Sequence, residues 1–215
     1  MFPKIIPLFL LAITISGQIS AQSFIPATAD QKKLMVDKIT ASSAQLNSLI
    51  CDFEQVKAMS ILNEKMISKG KMYYRNDNSL RWEYLSPSVY VFALNNGKIS
   101  MKTGDGKTKV IDGGANRFFQ EIIKFMMNCI NGKGLVDTKD FNISYFNSKD
   151  QWKAEMIPQQ KEVKKMFSAI YIYFNVKDYS AEKVEMNEPN GDTTTIFLKN
   201  KQFNQKIAND KFSLQ

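Results

Sequence analysis

Histidine is absent from all 215 residues, which removes the commonest general base and the commonest metal ligand together. A nucleophile activated by His is excluded. Cysteine is scarce: Cys51 and Cys129 are the only two, so with no His a zinc or copper site is not expected, and no motif calls for a cofactor. The pair is open to two readings, a disulfide or two buried thiols that pack as small apolar side chains, because spacing alone does not fix the geometry of a bridge. An acidic excess is missing too, since 29 Lys and Arg stand against 21 Asp and Glu for a formal net charge of +8. The basic residues are scattered, with Lys161, Lys164 and Lys165 the only tight cluster. Without a basic helix or an ordered aromatic-basic motif, nucleic acid is not an expected partner. A diffuse positive surface suits anionic lipid headgroups or an acidic protein instead. No shift in composition marks a second domain, and the length suits one core.

A long apolar run occurs only at the start, where Lys4 is followed by apolar residues through Ile15 and then by Ile19-Ser20-Ala21 before Gln22. This is the build of an export signal cut after Ala21. The run falls short of the roughly 20 apolar residues that a membrane-spanning helix needs. The expectation is that residues 1–21 are removed and residues 22–215 form a single extracytoplasmic domain, in a compartment where a disulfide can persist. No Cys lies near Ala21, so acylation of the new N-terminus is not expected.

The rest is patterned in two periods. Thr28 followed by Gln31 resembles a capping box, and Met35, Ile39, Ser42, Leu46 and Leu49 recur at helical spacing, which predicts an amphipathic helix over 29–48. From Leu49 the period becomes two, with Leu49, Cys51 and Phe53 on one face. Strands are predicted at 49–62, 65–75, 79–85, 89–95, 98–103 and 107–112, joined by turn signals at Asn76-Asp77-Asn78, Asn96-Gly97 and Gly104-Asp105-Gly106. On the third of these, Leu80, Trp82 and Tyr84 share one face and Arg81 and Glu83 the other, so a broad aromatic surface is aimed to one side. Residues 118–130 predict a second helix whose apolar side chains wrap most of its circumference, and paired Met126 and Met127 favour a face that adapts to shape. On pattern alone a packed core is the ordinary reading of such side chains, and the cover of an apolar cavity is the alternative. Further strands are predicted at 141–145, 151–156, 169–176, 181–188 and 192–200, with a short charged turn or helical excursion at 158–165. The fold class is α+β, with ten or eleven antiparallel strands curling into a barrel-like shell.

Several local motifs carry a resemblance: Asp52-Phe53-Glu54-Gln55, Gly70, Leu80-Arg81-Trp82-Glu83-Tyr84, Asn95-Asn96-Gly97-Lys98, Met156-Ile157-Pro158 and Gly191-Asp192-Thr193-Thr194-Thr195. With the order of elements, from about residue 30 to the end, these resemble the LolA family, the periplasmic carriers of outer-membrane lipoproteins. The resemblance implies an unclosed antiparallel β-barrel, with N-terminal and central helices forming a lid over an apolar cavity that takes acyl chains. It implies a cavity and lid built from Met35, Ile39, Leu46, Phe53, Leu80, Trp82, Tyr84, Phe92 and Met101, with Phe118, Phe119, Ile122, Ile123 and Met126 in the central helix. In the family an Arg at the end of the second strand helps hold the lid shut, and the nearest candidate here is Arg75. The implied partners are acylated lipoproteins, an inner-membrane lipoprotein-releasing transporter and an outer-membrane acceptor, the implied compartment is the periplasm, and the expected state is a monomer.

Two other binding roles fit the same shell: a carrier of a glycolipid or pigment lipid, and a lipid-sensing regulatory module. For an enzyme, Glu54, Glu83 and Asp105 are the carboxylates to test as an acid-base pair. Strand carboxylates on the polar parity ordinarily face water, and Glu83 beside Arg81 reads as a surface charge pattern. Catalysis is therefore not expected.

Overall fold

The computed structural model describes residues 23–62, 64–111, 127–128, 130, 133–135 and 139–214. The first element is a strand of two residues, β1 (Ile25–Pro26), too short to leave an alternating signature. Helix α1 (Ala29–Ala44) follows, opened by the capping box read at Thr28: the Gln31 N–H donates to Thr28 Oγ1 at 3.3 Å and the Thr28 N–H to Gln31 Oε1 at 2.9 Å. It ends before the expected 48. The Asn47 N–H instead donates to Asn204 Oδ1 at 2.8 Å, and the Asn47 carbonyl accepts from the Asn76 N–H at 2.9 Å, so the chain is turned there into the sheet.

Two antiparallel meanders then form. The first holds β2 (Ser48–Met59), β3 (Glu64–Arg75), β4 (Ser79–Ser86), β5 (Tyr90–Asn95), β6 (Lys98–Thr103) and β7 (Thr108–Ile111). The second holds β8 (Phe141–Asn147), β9 (Gln151–Pro158), β10 (Ala169–Asn175), β11 (Ala181–Asn187) and β12 (Thr193–Phe203), with a short helix α2 (Lys161–Lys164) after β9. Turn chemistry sets the hairpins: at Asn96-Gly97 both residues have positive φ, 49° and 74°, the left-handed pair that a two-residue turn of this twist requires.

The strands make one twelve-stranded sheet in the order β1-β8-β9-β10-β11-β12-β2-β3-β4-β5-β6-β7. The last strand, β12, pairs with the first long one, β2, from Thr193 against Ala58 to Phe203 against Leu49, and so welds the meanders together. The edge strands β1 and β7 do not pair with each other, which leaves the barrel unclosed. Among the described residues the expected ten or eleven strands are thus twelve, the addition being β1 on the outer side of β8.

Two packed clusters fill the concave side. In one, Met35 and Ile39 of α1 meet Ile143, Tyr145, Ile170 and Ile172 of the second meander. In the other, Leu49, Cys51, Phe53, Met72, Leu80 and Trp82 pack within the first meander. Behind β4 and β5 a 3-10 turn, Asn209–Phe212, covers the opposite face, so that Val91 and Ala93 are buried there while Phe92 and Leu94 are buried on the concave side. Of the helix expected at 118–130, Met127, Asn128 and Ile130 are helical, and the rest lies outside the described residues. Among the described residues no helix is long and apolar enough to cross a membrane.

Candidate ligand-binding cavity

Register carries the aromatic face of β4 across its neighbours. Trp82 stands opposite Met72 on β3 and Phe92 on β5, and Tyr84 stands opposite Gly70 and Tyr90. At Gly70 a side chain has no room, since an added Cβ would lie 2.0 Å from the Glu83 carbonyl oxygen and 2.6 Å from the Phe53 ring. The Phe53 ring fills that place. Its centroid is 4.4 Å from that of Trp82 and 5.0 Å from that of Tyr84, which in turn stacks on Tyr90 at 4.1 Å. The Tyr84 hydroxyl donates to Gln55 Oε1 at 2.8 Å, and burial pushes the Tyr84 phenol well above its ordinary value of 10.0, which keeps it neutral.

In front of this wall lies a cavity of about 530 Å³, within the range of small-molecule sites. Leu49, Met72, Trp82, Tyr84, Tyr90 and Phe92 form one side. Phe174, Val184, Met186, Ile196 and Leu198, from β10, β11 and β12, form the other. Leu46, Ile130, Phe167, Tyr179, Ala181 and Phe203 add to the apolar surface. A polar rim gathers where the end of α1 meets the β10–β11 turn and the end of β12. There Ser42 Oγ donates to the Asp178 carbonyl at 3.0 Å and Asn204 Nδ2 to the Gln45 carbonyl at 3.3 Å, and all four residues border the cavity.

Of the residues expected to form the cavity, Leu46, Trp82, Tyr84 and Phe92 line it. Met35 and Ile39 do not: α1 lays its apolar face on β8, β9 and β10, and only its last turn, at Ser42 and Ser43, reaches the space. Phe53 is displaced from the lining because it fits into the gap at Gly70, and Leu80 because it is wholly enclosed, 0% exposed, in the second cluster. Met101 pairs with Phe92 one strand farther out and is not part of the lining. Phe118, Phe119, Ile122, Ile123 and Met126 lie outside the described residues.

Arg75 sits on the outward parity of β3, where its bonds among the described residues run to the C-terminal segment and the adjoining turn. Its NH1 donates to the Ile207 carbonyl at 3.1 Å and to Asn209 Oδ1 at 2.7 Å, its NH2 meets Asp77 Oδ2 at 2.7 Å, and its guanidinium lies 4.8 Å from the centre of the Phe212 ring. The three carboxylates considered for chemistry are spread apart. Glu54 meets Lys199 at 3.2 Å, Glu83 meets Arg81 at 3.2 Å, and Asp105 accepts from the Thr103 hydroxyl at 2.6 Å in the β6–β7 turn. Cys51 is a free, buried thiol, and Cys129 lies outside the described residues.

The wall supplied by β10, β11 and β12 was not anticipated. A signal for it exists in the parity of Val184 with Met186 and of Ile196 with Leu198, but only the β12–β2 pairing turns those faces toward Trp82.

The arrangement is that of a curved sheet holding an apolar hollow with a polar rim. The family model described as "Outer membrane lipoprotein carrier protein LolA" matches residues 44–215, and the chain belongs to that family. No curated protein matches the chain. Among solved structures, MucB is similar at 10% identity and a TM-score of 0.52, over 88% of this chain and 64% of MucB. The Mycobacterium tuberculosis lipoprotein LppX is similar at 10% identity and 0.49, over 85% of this chain and 100% of LppX. A putative outer membrane lipoprotein-sorting protein domain from Vibrio parahaemolyticus is similar at 10% identity and 0.45, over 84% of this chain and 97% of that one. At 10% identity the likeness to MucB is one of fold.

Proposed function

We propose that the protein is a periplasmic carrier that holds the acyl chains of lipoproteins in the concave cavity and moves them from the inner to the outer membrane. The observation that carries this reading is the cavity of about 530 Å³ walled by aliphatic, aromatic and Met side chains, in a chain of the lipoprotein-carrier family. Burial contributes about 0.8 kcal/mol per methylene, so roughly ten buried methylenes supply about 8 kcal/mol, a micromolar affinity that still permits release. Met72 and Met186, on opposite walls, adapt to a chain without a fixed shape. The rim of Ser42, Gln45, Asp178 and Asn204 faces the more polar glyceryl and peptide end of such a cargo. Residues 1–21 serve as the export signal in this reading, residues 22–215 as the carrier domain, and residues 118–126 as part of the cover.

The test is native mass spectrometry of the protein purified from its own cell envelope. A mass increment matching an acylated protein is the expected result. A glycolipid or pigment-lipid increment would reassign the cargo, and a cavity empty in every preparation would sink the carrier reading.

A further inference from the structure

The β2–β3 hairpin runs on past β4, while β12 accompanies β2 as far as Ala58. Pairing of β3 with β4 begins only at Lys69 opposite Ser86, so Glu64–Ser68 have β2 on one side and no strand on the other among the described residues. Met66 and Ile67, which point to opposite faces, are therefore both about half exposed, and at the tip Ile61 is 87% and Leu62 59% exposed. Leu85 near the end of β4 and Val89 in the β4–β5 connection, at the same end of the sheet, are half exposed as well. Large aliphatic side chains concentrated on one projection are not what a water-facing hairpin requires, since such a tip is ordinarily polar.

The projection is braced. The Ser60 N–H donates to Asp192 Oδ1 at 2.9 Å and Ser60 Oγ to the Asn190 carbonyl at 3.0 Å, while Lys57 pairs with Glu188 and, at 3.5 Å, with Asp192. The β11–β12 turn thus holds the tip from one side, and the aliphatic side chains are displayed on a fixed base. Of the three lysines in residues 57–69, Lys57 is held by Glu188 and Asp192 and Lys69 lies 3.8 Å from Glu54, which leaves Lys65 as the cation nearest the tip, on a chain of formal net charge +8. Lys65 is exposed and makes no ion pair among the described residues. The same strands lead to the cavity. Gln55 borders it on β2, and Ser60 lies five residues farther on, about 17 Å along an extended strand.

We propose that the β2–β3 tip is a membrane-contact element, which seats Ile61 and Leu62 among the acyl chains of an anionic bilayer while Lys65 meets its headgroups. Exposed aliphatic side chains beside the exposed Lys65, on a chain of net positive charge, match the two attractions a lipid surface offers, apolar burial and a negative surface potential. Such a contact would bring the cavity to the membrane where cargo enters or leaves. The proposal takes the carrier reading as its setting, yet it is testable without cargo.

The protein purified from its own envelope is floated with vesicles of phosphatidylcholine alone or with added phosphatidylglycerol. Association with the phosphatidylglycerol vesicles is expected, weakened at least about tenfold by the double substitution Ile61→Asp and Leu62→Asp, since each such side chain is worth about tenfold on burial. Lys65→Glu should weaken it about fivefold or more. Thermal midpoints, and uptake of a fluorescent fatty-acyl probe by the cavity, should stay as in the parent protein. Ile61→Trp supplies a second reading, an emission blue shift on the same vesicles. Flotation of the double variant equal to the parent would overturn the proposal. So would equal binding to vesicles of phosphatidylcholine alone, or flotation on neither kind, which would assign the tip to a protein partner. Failed probe uptake by the parent protein would instead count against the carrier reading and leave the flotation result standing.

Discussion

Phe53 takes its position from a side chain that is missing on the neighbouring strand. A Cβ at position 70 would fall 2.6 Å from the Phe53 ring and 2.0 Å from a backbone carbonyl of β4, and neither can retreat without opening the β2–β3–β4 ladder. Gly70→Ala is therefore expected to cost about 3 kcal/mol or more, the upper range of overpacking, read as a drop in the urea midpoint. Cys51, on the same strand as Phe53, makes a second prediction. Burial first, then the Asp52 carboxylate, push its thiol up from 9.0 to about 12. In the unfolded chain that thiol ionises near its ordinary value, so between pH 9 and 12 the unfolded state binds fewer protons than the native state. Its contribution is complete below pH 9 and is lost as pH rises, at up to about 1.4 kcal/mol per pH unit. Urea midpoints of the parent protein should fall more steeply above pH 9 than those of Cys51→Ala, and iodoacetamide at pH 8 should label Cys51 only after unfolding.

At the scale of elements, the C-terminal segment closes the convex side of β3, β4 and β5. Phe212 is 1% exposed, with the Arg75 guanidinium 4.8 Å from its ring centre, and the Lys211 carbonyl accepts from Arg81 NH1 at 3.2 Å. Phe212→Ala should cost about 3–5 kcal/mol, measured by denaturant titration. Arg75→Ala separates two roles: an anchor of the C-terminal segment lowers the urea midpoint and leaves the release rate of an acyl probe unchanged, whereas a latch on a cover speeds release. Elements with a local signature were legible in the sequence. The capping box at Thr28, the turns at Asn78 and Asn96-Gly97, and the common face of Leu80, Trp82 and Tyr84 each depend on residues close in the chain. What depends on distant pairing was not legible. Two residues of β1 carry no period, the gap that admits Phe53 exists only where β3 meets β4, and the periodicity of Met35 and Ile39 shows that a helix face is apolar without showing which strands cover it, so their cavity role rested on the family resemblance alone. The far wall at Val184 and Ile196 needed the β12–β2 register before it could be placed.

For the molecule as a whole, the question is whether the hollow between the two clusters is a property of the fold in solution or closes by collapse of its walls. The sheet argues for persistence. Its concave side is braced by α1 at one half and by the aromatic row of β4 at the other, and the β12–β2 ladder, which joins the halves, runs nearly the full length of both strands. Val184 faces the space from β11, paired with Ile172 on one side and Ile196 on the other. An aromatic ring introduced there has room if the cavity is open. Val184→Phe should then leave the thermal midpoint unchanged or raise it while lowering the affinity for an acyl probe at least about tenfold, because roughly two methylenes or more of ligand burial are displaced at about 0.8 kcal/mol each. If the walls had closed, the same substitution would enter a packed interior, where added volume costs about 1–3 kcal/mol, and the midpoint would fall. Thermal midpoint and probe affinity measured on this one variant therefore separate a standing cavity from a filled core.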